Sequence, residues 1–269
     1  MKAIELRTNY RFNPLGIDDP APILSWKCED GIKQLAYQIV ASDEDGNLVF
    51  DSGKVKSDRM NCRFAGTALS SGQKIIWKVI LWEGETEETS EEAFFEMGLL
   101  ENTDRKAKWI CGINTNKKDR LPADCYRKTF SLRGDVAKAR LYATACGVYK
   151  AEINGKRLPG VLAPGTTEYS KHLYYQTYDV TEYLTEENTL DITVGDGWYK
   201  GKLGWLEQTC RFGKQLKLWA QLVITYQDGT TEVIGTDESW RWCNDGPIRY
   251  ADLMDGAIYD ARMVGWCVD

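Results

Sequence analysis

The run Gly195-Asp196-Gly197-Trp198-Tyr199-Lys200-Gly201, followed by Leu203-Gly204-Trp205, gathers the residue types that carbohydrate recognition needs. A carboxylate accepts hydrogen bonds from sugar hydroxyls or coordinates a hard cation such as calcium, and aromatic faces stack on a pyranose ring. Asp196, Trp198, Tyr199 and Trp205 are therefore the candidate sugar-binding residues. The glycines let the backbone turn sharply and approach its neighbours closely. The same run also has a packing reading, in which tryptophans just past a strand end anchor a β-sandwich core. Residue types alone do not separate the two.

Catalytic chemistry has less to build on. An inverting glycosidase holds its two carboxylates roughly 6.5–9.5 Å apart across the bond it cleaves. Asp196, Glu207, Asp237, Asp252 and Asp255 are available, but a chain with 40 Asp and Glu offers many accidental pairs, and spacing positions none of them. No catalytic residue is assigned. The eight cysteines stand far apart with no C-x-x-C pair, and His172 is the single histidine, so a Cys/His metal centre is not expected. Metal ligands stay unassigned, no cofactor is required, and His172 reads as a surface side chain. The N-terminus lacks the apolar core of a signal peptide, which leads to an expectation of free thiols in a reducing cytoplasm. The formal net charge is −6 with no basic stripe, which argues against nucleic acid or an anionic membrane surface as partner. No apolar run approaches the length of a membrane span.

The elements that must position these residues are strands. Period-two alternation and turn dipeptides dominate, and helical periodicity is nearly absent. In the first hundred residues the predicted strands are Ile23 to Trp26, Ala36 to Ala41, Leu48 to Phe50, Ile75 to Trp82 and Ala93 to Met97. Trp77, Val79 and Leu81 fall on one face, and the spacing suits an immunoglobulin- or fibronectin-like sandwich. The acid excess lies in this half, with Glu83 to Glu96 supplying most of it as a solvated hairpin face. Leu100 to Lys108 reads as a polar linker. Beyond it come Lys138 to Ala145, Val148 to Ile153 closed by the turn Asn154-Gly155, Thr189 to Val194, and Leu216 to Tyr226 joined by Asp228-Gly229 to Thr231 to Ile234. Asp179 to Leu184 reads as one helical turn capped by Asp179. The fold class is all-β. Residues 1–104 form a fibronectin-III-like sandwich, and residues 105–269 form a larger, jelly-roll-like (galactose-binding-like) sandwich.

The motifs of the second half run in a recognisable order: Tyr126-Arg127-Lys128-Thr129-Phe130, Tyr149 to Arg157, Leu162-Ala163-Pro164-Gly165, Tyr175 to Val180, the glycine-framed run from Gly195, Thr236 to Trp240, and Tyr259-Asp260-Ala261-Arg262. With Leu24-Ser25-Trp26, Ala36 to Ile39, Asp51 to Val55 and Met97 to Leu100 in the first half, the whole chain resembles the N-terminal, non-catalytic region of bacterial α-L-rhamnosidases of glycoside hydrolase family 78. The resemblance implies a parent enzyme that removes terminal α-L-rhamnose from glycosides. It also implies a catalytic (α/α)6 barrel, absent from this chain, as intramolecular partner, and a rhamnose-containing glycoside as substrate of the whole. The chain alone is then expected to be inactive, an N-terminal fragment that scaffolds the barrel. The alternative implied is an autonomous, calcium-assisted rhamnose-binding module. Two departures bear on that alternative: Thr166-Thr167-Glu168-Tyr169 stands where the family commonly has a Trp before Thr-Asp-Tyr, and Ala257 stands where it commonly has a Glu.

Overall fold

Period-two alternation buries one face of each strand, so every sheet needs a second layer to cover its apolar side. The chain meets this requirement twice. The computed structural model describes residues 1–113, 121–206 and 208–265, and it divides into two units, Met1–Arg105 and Lys106–Asp269. The first contains β1 (Lys2–Thr8), β2 (Ile23–Glu29), β3 (Ala36–Asp43), β4 (Leu48–Asp51), β5 (Asn61–Arg63), β6 (Lys74–Glu83), β7 (Thr86–Thr89) and β8 (Ala93–Glu96). One sheet has the order β1-β2-β5. The other runs β4-β3-β6-β7, with β8 also paired to β6. Between them Trp77, Val79, Leu81, Ile39, Leu24 and Phe95 are almost fully buried. The Trp26 indole N–H finds its partner in the side-chain oxygen of Gln34 at 3.0 Å, as a buried donor must.

The second unit contains β9 (Asp124–Ser131), β10 (Val136–Cys146), β11 (Val148–Ile153), β12 (Lys156–Arg157), β13 (Gln176–Asp179), β14 (Glu187–Gly195), α1 (Gly197–Lys200), β15 (Lys217–Tyr226), β16 (Thr231–Gly235), β17 (Arg241–Cys243), β18 (Ile248–Asp252) and β19 (Gly256–Tyr259). A sheet of order β12-β11-β14-β9-β17 faces one of order β13-β10-β15-β16 across a single apolar core, and β18-β19 forms a separate hairpin. The alternating residues meet here: Leu218, Ala220, Leu222 and Ile224 from β15, and Leu190, Ile192 and Val194 from β14, are fully buried. Each of these buried Leu, Ile and Val side chains contributes roughly 1.5–3 kcal/mol relative to exposure.

Three details differ from the sequence expectations. The first is the stretch read as linker. Its second half is woven into the second unit: the Lys106 and Ala107 amides donate to the Gln221 side-chain oxygen at 2.6 and 3.1 Å, and the Lys108 amide donates to the Thr236 carbonyl at 2.7 Å. The second is the turn after Asp179, which is a 3-10 turn over Thr181–Tyr183 with Val180 at the N-cap position. Asp179 steadies it by accepting from the Thr181 amide and hydroxyl and pairing with Arg140. The third concerns the cysteines. Cys28, Cys62, Cys111, Cys125, Cys146 and Cys210 are free thiols, but Cys243 is disulfide-bonded. Sequence spacing could not show this, because disulfide reach depends on Cα separation in the fold. Cys267 lies outside the described residues.

Strand pairing places several chain ends together. Val194 at the end of β14 lies opposite Asp124 at the start of β9, Gly195 lies opposite Val148 at the start of β11, and Cys146 at the end of β10 lies opposite Lys217 at the start of β15. The glycine-framed run emerges at this end of the sandwich.

Candidate functional site

The run from Gly195 forms a closed loop. Gly197 takes φ +52° and lies so close to Val148 that a side chain there would collide with it, and this explains the residue type. One turn of helix follows, with the Lys200 amide donating to the Asp196 carbonyl at 3.2 Å. That turn brings Lys200 Nζ to 3.0 Å from Asp196 Oδ1, and both side chains are at least nine-tenths buried. Burial pushes the Asp196 carboxyl up from its ordinary range, against the pull of the Lys200 ammonium.

A second acid ties the loop to the β18-β19 hairpin. Asp252 Oδ2 accepts from the Lys202 amide at 2.7 Å, while Oδ1 accepts from the Met254 and Asp255 amides at 2.7 and 3.0 Å. Lys202 Nζ lies 2.9 Å from Asp255, whose other oxygen accepts from the Tyr250 hydroxyl at 3.3 Å. Burial beside Asp252 and Asp255 pushes the Tyr250 hydroxyl up to about 12. Gly201 passes so near the Asp252 carboxylate and the Gly197 carbonyl that no Cβ fits.

The four residues singled out from the sequence do not share one open face. Asp196 is buried against Lys200. Tyr199 is buried, its ring edge-on to Tyr169 at 5.1 Å and its hydroxyl under Gly213. Trp198 is half-buried, and Trp205 is 94% exposed beside the exposed Leu206. Tyr169 also packs against Phe212, with ring centroids 4.8 Å apart. His172 is an exposed side chain whose ring contacts Tyr174. Of the acids weighed for catalysis, Asp237 accepts from Ser239 and Glu207 lies outside the described residues. Among the described residues no three His, Cys, Asp or Glu side chains are grouped to hold a metal, and no helix is long and apolar enough to cross a membrane.

Sequence reasoning missed a residue at the same end. Asp124, the first residue of β9, is 5% exposed and lines a cavity of about 310 Å³ together with Lys200, Lys214 and Gln215. Among the described residues its hydrogen bond is a long one, 3.4 Å from the Tyr126 hydroxyl. The Trp242 indole N–H lies near enough to favour the charged carboxylate but has no completed hydrogen bond. Burial dominates and raises the Asp124 carboxyl to about 6, with Lys200 opposing. No local pattern announces this residue; only the register of β9 against β14 puts it beside Lys200.

Comparison with known proteins matches residues 3–101 to the model described as "Rha78A-like, N-terminal immunoglobulin domain" and residues 134–268 to "Alpha-L-rhamnosidase N-terminal domain". An α-L-rhamnosidase of Alteromonas sp. (strain LOR) is 39% identical over 94% of this chain and 30% of its own length, and one of Formosa agariphila is 37% identical over 93% and 29%. The solved α-L-rhamnosidase of Dictyoglumus thermophilum superposes with TM-score 0.88 at 31% identity over 99% of this chain and 32% of its own. That of Aspergillus terreus gives 0.91 at 30% identity over 98% and 32%. The chain thus spans about 30% of the length of these relatives.

Proposed function

Because the chain belongs to the α-L-rhamnosidase N-terminal domain family, we propose that it serves as the accessory β region of an enzyme that hydrolyses terminal α-L-rhamnose from glycosides. The observation that carries this reading is the match of 93–94% of the chain to 29–30% of the length of proteins named α-L-rhamnosidase. The catalytic carboxylates then belong to the remaining two thirds, and the 269 residues flank and brace that portion. Two features support a bracing role over an open calcium-assisted sugar site at the glycine-framed run. Asp196, the carboxylate such a site would use, already holds Lys200. Trp205, Leu206, Met254, Ile258, Tyr259 and Val264 expose apolar surface of the kind that packs against another protein part.

The test is hydrolysis of p-nitrophenyl α-L-rhamnopyranoside by this chain and by the full open reading frame that contains it. Turnover by the full product with none by the 269-residue chain is the expected result. Turnover by the chain alone, or by neither protein, overturns the reading.

A further inference from the structure

Strand register sets two cysteines opposite one another. Where β17 pairs with β9, Arg241 lies opposite Arg127, Trp242 opposite Tyr126 and Cys243 opposite Cys125. Residues directly opposite in an antiparallel pair point to the same face of the sheet, with Cα atoms about 4.5–5.5 Å apart. Disulfides span Cα separations of about 4.4–6.8 Å, so this register holds the two side chains within bonding reach. Among the described strands no other pair sets cysteine against cysteine: Cys28 faces Ala3, Cys62 faces Leu24 and Cys146 faces Lys217.

The two members of the pair are in different states. Cys243 is disulfide-bonded, whereas Cys125 is a free thiol. A thiolate attacks a disulfide sulfur and forms a new bond as the old one breaks. Cys125 therefore has its electrophile on the neighbouring strand. Both residues are half-buried, and Cys125 lines a cavity of about 200 Å³ with Arg127, Lys150, Asp191 and Thr193. Burial pushes the Cys125 thiol up, while the Thr193 hydroxyl and the Lys150 ammonium pull the other way. Little thiolate forms at neutral pH, so exchange is slow and the thiol persists beside the disulfide.

We propose that Cys125 and Cys243 form a thiol–disulfide exchange site that moves the Cys243 disulfide onto β9. The Cys125 thiol gives its proton to solvent, and its sulfur lone pair bonds to Cys243 Sγ. The bond from Cys243 to its present partner breaks, and that partner leaves as a thiolate and takes up a proton. One disulfide and one thiol stand before and after, so no oxidant or reductant enters. The product bridge ties β17, the three-residue edge strand of its sheet, to β9. It also frees the cysteine that Cys243 held. This chemistry stands whether or not the chain serves as an accessory region.

Peptide mapping of the 269-residue chain, folded without reductant, tests it. The chain is held at about pH 8 to raise the thiolate fraction, blocked with N-ethylmaleimide and digested with trypsin without reduction. Cys125 then lies in the peptide 121–127 and Cys243 in the peptide 242–249. The expected result is a species with the mass of these two peptides joined, growing as the maleimide label on Cys125 falls by the same amount. Cys125→Ser should abolish the joined species and leave the original Cys243 linkage in place. The proposal is overturned if the joined species never forms while Cys125 stays fully labelled, or if Cys243 takes the label before incubation. It is overturned equally if the joined species forms only in chain unfolded by guanidinium. The parent measurement decides by itself, even where Cys125→Ser fails to fold.

Discussion

Asp196 and Asp124 stand at the same end of the second sandwich, each 5% exposed, and burial pushes both carboxyls above their ordinary range. They differ in company. Asp196 is followed one helical turn later by Lys200, which closes on it at 3.0 Å, and the pair locks the loop that Gly197 and Gly201 allow to pack. Asp124 has a cavity in front of it and one long bond from Tyr126. Equal burial therefore does not mean an equal role. A buried charge with a fixed counter-charge serves structure, while a buried charge facing a cavity costs stability and is available to a ligand.

The comparison predicts opposite signs on substitution. The largest effect belongs to Asp196→Ala, which removes the carboxylate that holds the buried Lys200 ammonium at 3.0 Å. A loss of about 3–5 kcal/mol in urea unfolding is expected, and most of it should return in the Asp196→Leu, Lys200→Met double variant. A loss under about 1 kcal/mol would place Asp196 with ordinary surface pairs.

Asp124→Asn should move stability the other way. Below about pH 4 the carboxyl is protonated in folded and unfolded chains alike and contributes no difference. Between about pH 4 and its folded value of about 6, the unfolded chain loses its proton first, so the folded state binds more protons and stability falls as pH rises. Above pH 6 the full cost persists, on the order of 2–3 kcal/mol. The asparagine variant should recover much of this at pH 7 and flatten the profile between pH 4 and 6. A variant less stable than the parent at pH 7 would show that Asp124 has a structural partner after all.

Gly201→Ala comes next. The new methyl meets the Asp252 carboxylate and the Gly197 carbonyl, so a loss of about 1–3 kcal/mol is expected in thermal or urea unfolding. The smallest effect is Trp205→Ala, which should fall within about 0.5 kcal/mol because its side chain is almost wholly exposed. A large loss there would mean that the tryptophan packs in solution.

How much was legible follows from the range of each signal. The β-sandwich cores were readable because alternation is local: Trp77, Val79 and Leu81, or Leu218 to Ile224, announce a shared face within a single strand. The single turn of α1 was missed because four residues carry no helical period, although Asp196 and Lys200 have the spacing that a helix brings into contact. The β18-β19 hairpin was missed too. It is held by Asp252 reaching Lys202, fifty residues earlier in the chain, and no periodicity records such a partnership.

The sequence by itself determined an all-β chain, its family and the importance of the glycine-framed run, because strand alternation, turn residues and motif order are properties of neighbours along the chain. Tertiary structure alone decided which acid closes on Lys200 at 3.0 Å and which faces the cavity that Lys200 also lines. That outcome depends on strand register and on how loops from distant segments meet at one end of a sandwich, and both are fixed only when the two sheets close over their common core.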